Sequence, residues 1–307
     1  MEQKREYLID NSKAILIFFV VFAHFLEFFE GEVSYFLQLI IYSFHMPVFV
    51  YFSGYLAKYD SKKMIKKILL PYLIVQIFGY FFYNFIGLAV DFRVVSPYAS
   101  LWYMVSLFLW YLTIPFLERT DKYKKVILIS VLIGLIIGYD QTAAACLSLS
   151  RTIVFFPFFV FGYYNKKYNF LNFERKKSLN KIVNLIMIFL LIASFGFFGK
   201  TINVQWFYNN ASYASLNYNP LVRILIYFFA LLWIFAFHYF VPKSKTFFTK
   251  VGKNSLSVYL LHYFIVYFIV TKKLLNFNLS PIISSFILTI LIVFVLSRDK
   301  INKVFKH

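Results

Sequence analysis

The chain has 307 residues, of which 61% are hydrophobic and 15% charged, with a mean hydropathy of +0.70. This composition excludes an ordinary soluble protein and predicts a polytopic membrane protein. The 32 Lys and Arg against 13 Asp and Glu would by themselves suit a nucleic-acid-binding protein, but their positions along the chain favour a membrane protein with no nucleic-acid partner.

Ten apolar segments follow one another, each about long enough to cross a bilayer as a helix. They are long apolar runs without two-residue alternation, and backbone polar groups in lipid must be satisfied within the segment, so we predict helices and not barrel strands. The predicted fold class is therefore all-α, a bundle of about ten transmembrane helices in a single domain, 1–307. The segments are 14–29, 34–57, 67–90, 101–118, 125–139, 150–164, 182–199, 219–241, 254–271 and 279–297.

The basic residues alternate from loop to loop. Of the 32, 26 lie in the N-terminal stretch, in the loops after the second, fourth, sixth and eighth segments, and in the C-terminal tail. This asymmetry predicts that both termini are cytoplasmic, and it places most of these side chains against anionic lipid. The heavy use of Phe, Tyr, Ile, Lys and Asn indicates an AT-rich bacterial genome, so the bacterial cytoplasmic membrane is the expected location. The other six basic residues are Arg93, Arg151, Lys200, Arg223, Lys272 and Lys273.

The first segment carries the most informative pair of residues. Lys13 precedes it, and His24 follows eleven residues later. Eleven residues turn a helix by about 1100°, close to three full turns, so both side chains share one face about 16 Å apart along the axis. A histidine inside a membrane helix is costly and is by default a hypothesis of a functional site. We therefore expect one ligand to contact both residues.

Two further histidines are predicted at depth. His45 lies in the second segment, antiparallel to the first, which suggests a pair with His24. His262 lies in the ninth segment, and Tyr259 and Ser255 precede it on the same helix face. For each histidine the alternative is a packing role with a satisfied hydrogen bond.

The remaining chemistry-bearing residues point to no metal. Cys146 is the only cysteine, which excludes an internal disulfide and a cysteine-based metal set. The HExxH, GxSxG and glycine-rich phosphate motifs are absent. His238 and the terminal His307 are interpreted as structural, as is Arg223.

Motifs along nearly the whole chain resemble one family, the membrane acyltransferases of the acyltransferase-3 type, and in particular the branch similar to fucose 4-O-acetylases. Lys13 stands where many members have Arg, and Lys66-Lys67 stand where an Arg often occurs. Lysine cannot form the two parallel hydrogen bonds that a guanidinium forms, so we expect such contacts to be weaker here or to be made by other residues. The motifs are Asp10 with Lys13 and His24, His45 to Gly54, Leu70-Pro71-Tyr72, Leu101-Trp102-Tyr103, Arg151 to Gly162, and Asn254 to His262.

The resemblance implies transfer of an acyl group, usually acetyl, from cytoplasmic acetyl-CoA to a sugar hydroxyl of a cell-surface glycan or its lipid-linked precursor. Attack on a thioester needs a general base, and neutral imidazole suits that role near pH 7, so His24 is the predicted base. Lys13 at the cytoplasmic mouth is expected to hold the CoA phosphates. Lys66 and Lys67 are expected to add to that site, with an exposed, topology-only role as the alternative.

Other roles stay open at this point. His262 is a further catalytic candidate, and Tyr259, Ser255 and His45 are unranked candidates for the donor that stabilises the oxyanion. Arg151 and Trp102 are expected to bind the acceptor, the arginine through hydroxyls, carboxylates or phosphates and the indole by stacking on a sugar ring. The alternatives are an ion pair or lipid headgroup for Arg151 and interfacial anchoring for Trp102.

A rival interpretation is a transporter or flippase that moves a glycan or a lipid-linked precursor without chemistry. The spacing of Lys13 and His24 with a basic inner mouth argues for the enzyme, because a flippase does not need it. The acceptor sugar, the acyl group beyond an acetyl expectation, the side of transfer and any homo-oligomer are left open by the sequence.

Overall fold

A computed structural model describes residues 2–143, 147–169, 171, 177–274 and 280–305. The ordered elements in this part of the chain are helices, with no strand among them. Six of these helices are long and apolar enough to cross a membrane, and two shorter ones are also apolar. The predicted all-α membrane fold class is confirmed, whereas the number of crossings and the side of the termini stay predictions.

Ten longer helices, α1 to α10, occur in the described part of the chain, and each overlaps one of the ten predicted segments. Short helices Thr249–Lys253 and Asp299–Lys303 lie at the ends of α9 and α10. The ten are α1 Glu2–Leu26, α2 Glu32–Leu56, α3 Ser61–Phe85, α4 Trp102–Glu118, α5 Tyr123–Ile136, α6 Leu149–Tyr168, α7 Lys177–Phe198, α8 Pro220–Phe240, α9 Ser255–Thr271 and α10 Pro281–Leu296.

The helix ends differ from the apolar segments at α1 and α3. Both helices begin earlier than predicted, so Lys13, Lys66 and Lys67 lie on helices. At α3 the reason is local, because the Asp60 carboxylate caps the helix by accepting a hydrogen bond from the backbone N of Lys63 at 3.0 Å. Lysine is also a good helix former, so a helix can extend beyond its apolar stretch.

The chain forms two compact units. The first unit comprises Met1–Tyr35, Asp60–Phe108 and Pro242–His307, and the second comprises Phe36–Tyr59 and Leu109–Val241. The first therefore contains α1, α3, α9 and α10, and the second contains α5 to α8. The expectation of a single domain stays a prediction.

In the first unit, α1 packs against α9, α10 and the short helix Thr249–Lys253. The contact with the short helix is very close, since a Cβ added at Gly252 would lie 1.7 Å from the carbonyl O of Asp10. Only glycine allows the two backbones to meet there. The crossing holds the N-terminal half of α1 on the segment before α9.

Asn11 fixes the same part of α1. Its side chain is fully buried, and its Nδ2 donates to the carbonyls of Pro242 at 2.8 Å and Ser244 at 2.9 Å. Its Oδ1 accepts from the hydroxyls of Thr246 at 2.9 Å and Thr249 at 2.7 Å. The amide is thereby fully satisfied, and Lys13 stands two residues beyond this anchor.

In the second unit, α2 and α6 cross through two glycines. A Cβ at Gly54 would lie 2.0 Å from the carbonyl O of Phe159, and a Cβ at Gly162 would lie 2.0 Å from that of Tyr51. Small residues at a helix crossing let backbones approach closely in membranes. Both glycines belong to the motifs named above, so packing explains this part of the resemblance.

Arg223 also has a structural role in the second unit. The side chain is fully buried, and its Nη1 donates to the carbonyl O of Gly134 at 3.0 Å while Nη2 donates to the Tyr218 hydroxyl. The guanidinium also lies over the Tyr213 ring, 4.5 Å from its centroid. Arg223 lies in α8, so these contacts fasten α8 and the segment before it to α5, which supports the structural interpretation of this arginine.

Candidate functional site

Two histidines from different helices lie ring on ring in the first unit. His24 stands in the last turn of α1, and His262 stands near the middle of α9. Their ring centroids are 5.3 Å apart with an interplanar angle of 27°. The first apolar segment predicted a helix that extends to residue 29, with His24 at mid-membrane depth. In the structure α1 ends at Leu26, so His24 lies close to the end of the helix. The sequence suggested His45 as its partner, and the ring that stacks on His24 is that of His262.

A carboxylate orients His24. The Nδ1 of His24 lies 3.1 Å from the Oε1 of Glu27, and the two side chains are 16% and 24% exposed. Because an ionised carboxylate only accepts, Nδ1 carries the hydrogen in this pair and Nε2 keeps the lone pair. Glu27 was not among the residues predicted from the sequence, although its spacing of three residues from His24 on one helix face was the available signal.

His262 presents a buried lone pair. Its Nδ1 lies 2.8 Å from the carbonyl O of Tyr259 and 3.0 Å from that of Val258, so Nδ1 is the donor and Nε2 the acceptor. The residue is fully buried, and Nε2 has no hydrogen-bond partner among the described residues. A buried polar atom without a partner is rare and calls for a specific explanation, and a substrate hydroxyl that donates to it would provide one.

Tyrosines surround the two imidazoles. The Tyr263 ring meets His24 edge-on at 5.0 Å between centroids, and the Tyr259 ring lies 5.4 Å from that of Tyr103. The Tyr259 hydroxyl donates to the carbonyl O of Ser100, so its hydrogen is engaged and its use for an oxyanion would require that bond to break. Trp102 is buried and lies beside Tyr103, which brings it into the same unit as the histidines.

The predicted phosphate-binding lysines lie toward the start of α1 and of α3. The Lys13 ammonium lies 3.0 Å from the Asp10 carboxylate, with side chains 22% and 14% exposed. This ion pair uses only part of the donor capacity of an ammonium. Lys66 and Lys67 are exposed in a π-helical turn, Ile65–Leu69, inside α3, a distortion that often occurs at functional sites.

His45 and Arg151 lie together in the second unit. His45 is buried, its Nδ1 lies 2.8 Å from the carbonyl O of Ile41, and its ring lies 4.8 Å from that of Tyr42. Tyr42 in turn lies 4.4 Å from the Tyr208 ring. The Nε of Arg151 donates to the carbonyl O of Tyr208 at 3.1 Å. The structure therefore brings these two predicted residues into one cluster.

The part of the chain that the structure describes contains no group of three or more His, Cys, Asp or Glu placed to hold a metal ion. Cys146 and His307 lie outside the described residues. The expectation that the chain uses no metal stays a prediction.

The described part of the chain thus combines an all-α membrane fold with an oriented histidine beside a second, buried imidazole. The chain belongs to the acyltransferase-3 family. The model of this family, described as an acyltransferase domain, matches residues 6–298. The family predicted from the motifs is thereby confirmed, and the chain is a multi-pass membrane acyltransferase. No curated protein and no solved structure matches the chain significantly.

Proposed function

We propose that the chain is an O-acetyltransferase of the branch similar to fucose 4-O-acetylases. It moves an acetyl group from acetyl-CoA to a sugar hydroxyl of a bacterial cell-surface polysaccharide or its lipid-linked precursor. One observation carries the proposal: the Glu27 carboxylate holds His24 with its Nε2 lone pair available, next to the buried, unpartnered Nε2 of His262. Two neighbouring imidazole nitrogens that can accept hydrogens suit a substrate with hydroxyl groups, such as a sugar.

The reaction follows from this geometry. The Nε2 of His24 takes the proton of the acceptor hydroxyl, and the hydroxyl oxygen attacks the carbonyl carbon of the thioester. The new C–O bond forms, the C–S bond breaks, and the CoA thiolate takes the proton back from the His24 imidazolium. The products are the sugar acetate and CoA with a free thiol. His262 accepts a second hydroxyl hydrogen of the acceptor and so helps to orient it.

The donor is proposed to enter along α1 from its N-terminal end. Lys13 binds a CoA phosphate, and Lys66 and Lys67 add charge to the same mouth. From Lys13 to His24 the helix rises about 16 Å, a length that an extended pantetheine arm can cover. If the N-terminus is cytoplasmic, as the charge distribution predicts, the position of His24 near the end of α1 supports transfer toward the extracytoplasmic side.

Aromatic residues of the first unit are proposed to hold the acceptor. Trp102, Tyr103 and Tyr263 offer apolar ring faces on which a sugar can stack. Arg151 is proposed to bind hydroxyl, carboxylate or phosphate groups of the acceptor, and His45 stays an unranked candidate for the donor that stabilises the oxyanion. A homo-oligomer is left open, and bilayer lipid is the expected surrounding partner.

The first test is transfer of radiolabelled acetyl from acetyl-CoA in membranes that contain the chain, with surface polysaccharide or its lipid-linked precursor as acceptor. His24→Ala should reduce labelling of the glycan to the background of membranes without the chain, at equal membrane content. Full labelling by this variant would refute His24 as the base. An absence of CoA consumption with every acceptor tried would instead favour the transporter.

A further inference from the structure

We propose that Glu27 is a positioning residue that fixes the tautomer of His24 and stabilises the imidazolium that forms during transfer. The proposal rests on the function proposed above, in which His24 is the base. Glu27 contacts neither the donor nor the acceptor in this scheme. It acts through the imidazole, as the carboxylate partners of catalytic histidines do in general.

The local backbone brings the carboxylate to the ring. α1 ends at Leu26, but the backbone N of Glu27 still donates to the carbonyl O of Ala23 at 3.1 Å. The helical turn therefore continues far enough for the Glu27 side chain to return over the preceding turn to His24. The resulting distance of 3.1 Å between Nδ1 and Oε1 is that of a hydrogen bond.

Two electrostatic effects favour the His24 imidazolium that forms during transfer. The Glu27 carboxylate lies in direct contact with the ring, and the position in the last turn of α1 exposes the imidazole to the negative end of the helix dipole. Both effects stabilise the positive charge. When His24 has taken the proton of the acceptor hydroxyl, the negative charge of Glu27, three residues away, balances the positive charge of the imidazolium.

The other groups that face His24 do not supply this charge. His262 stacks on one side and Tyr263 meets the ring edge-on. His262 donates through Nδ1 to backbone carbonyls, and a second positive charge on it would oppose protonation of His24. Among the residues that the structure describes, Glu27 is the carboxylate in hydrogen-bond contact with His24.

Two substitutions separate the tautomer from the charge. Glu27→Gln retains a carbonyl oxygen that accepts from Nδ1, so it keeps the tautomer and removes the charge. Glu27→Leu removes both. Glu30→Gln is the matched control, because Glu30 is an exposed carboxylate three residues further along the chain.

The first readout is the kinetics of acetyl transfer at one fixed pH. The value of kcat should fall by about tenfold in Glu27→Gln and by about a hundredfold or more in Glu27→Leu, as for loss of general base efficiency. The KM for acetyl-CoA should change little, and Glu30→Gln should match the parent chain.

The second readout needs no acceptor. Diethyl pyrocarbonate modifies a neutral imidazole at a free nitrogen, so the rate of His24 carbethoxylation at one fixed pH, followed by mass spectrometry, reports on the tautomer and orientation of the ring. This rate should change more in Glu27→Leu than in Glu27→Gln and stay unchanged in Glu30→Gln. A carbethoxylation rate and a kcat equal to those of the parent chain in Glu27→Leu would overturn the proposal even if His24→Ala abolishes transfer. A changed carbethoxylation rate in Glu27→Leu, in a chain without acetyl transfer, would instead support the contact and refute the proposed function.

Discussion

At the scale of single residues, His24 was recognisable because an ionisable side chain interrupts an apolar run. Glu27 was not, because it stands among Phe28, Phe29 and Glu30 at the polar end of that run, where a carboxylate is expected to be solvated. Whether such a carboxylate turns back to a ring depends on where the helix ends. That is a property of the folded backbone, and only the structure shows it.

Two buried histidines differ by the state of one nitrogen atom. The Nε2 of His238 accepts from the Tyr51 hydroxyl at 2.6 Å, and Asn165 donates to the same hydroxyl at 2.7 Å. This network supports the structural interpretation of His238. The Nε2 of His262 has no partner among the described residues, which is the physical reason to assign His262 to the site.

This difference predicts opposite results for two alanine variants. His262→Ala should lower kcat per folded molecule by about ten- to a hundredfold, the effect of losing one buried hydrogen bond of about 1.5–3 kcal/mol to substrate. His238→Ala should lower the stability by about 1–3 kcal/mol, because it leaves the Tyr51 hydroxyl without its acceptor, and should leave kcat per folded molecule unchanged. Transfer assays normalised to folded protein, with thermal unfolding in detergent, check both.

The assignment of His262 would be wrong if His262→Ala retained the parent kcat. A loss of kcat in folded His238→Ala equal to that of His262→Ala would also contradict it, because the effect would then follow from any buried histidine.

At the scale of helices, glycines set the distances at which elements meet. Gly54 and Gly162 bring α2 and α6 together, and Gly252 brings its short helix onto α1. The sequence identified the first two only as parts of family motifs. Their physical reason is contact of backbones, which no pattern of hydropathy encodes because glycine is nearly neutral in such patterns.

Gly252→Ala should therefore separate α1 from the short helix Thr249–Lys253. We expect a loss of stability of about 1–3 kcal/mol, the usual result of forcing atoms into a filled contact. The measurement is the midpoint of thermal unfolding in detergent. Transfer should fall as well, because the crossing holds the segment of α1 that carries Lys13.

The matched control is Gly196→Ala in α7. A Cβ at Gly196 would meet nothing within 4 Å among the described residues. Alanine there should be neutral or should stabilise by up to about 1 kcal/mol through helix propensity. An equal loss of stability in both variants would show that the close contact at Gly252 is not the cause.

At the scale of the whole molecule, the distribution of charge predicts the orientation in the membrane. With 26 of 32 basic residues on one predicted side, both termini should be cytoplasmic. A green fluorescent protein fused to the C-terminus should fluoresce, and alkaline phosphatase fused there should be inactive. As the control, phosphatase fused after Lys273, in the predicted outer loop between α9 and α10, should be active. The reverse pattern would also place His24 at the cytoplasmic end of α1 and contradict transfer toward the outside.

Sequence alone was enough to predict the membrane class, the all-α fold and the family, and it supplied the hypothesis that His24 is the base. These follow from composition, hydropathy and spacing along one helix, which are local properties of the chain. Three contacts became visible only in the folded chain: His262 stacks on His24, Glu27 orients His24, and the Tyr259 hydroxyl donates to the carbonyl O of Ser100. These contacts depend on where helices end and how closely they cross, and both are set by packing between residues far apart in the sequence.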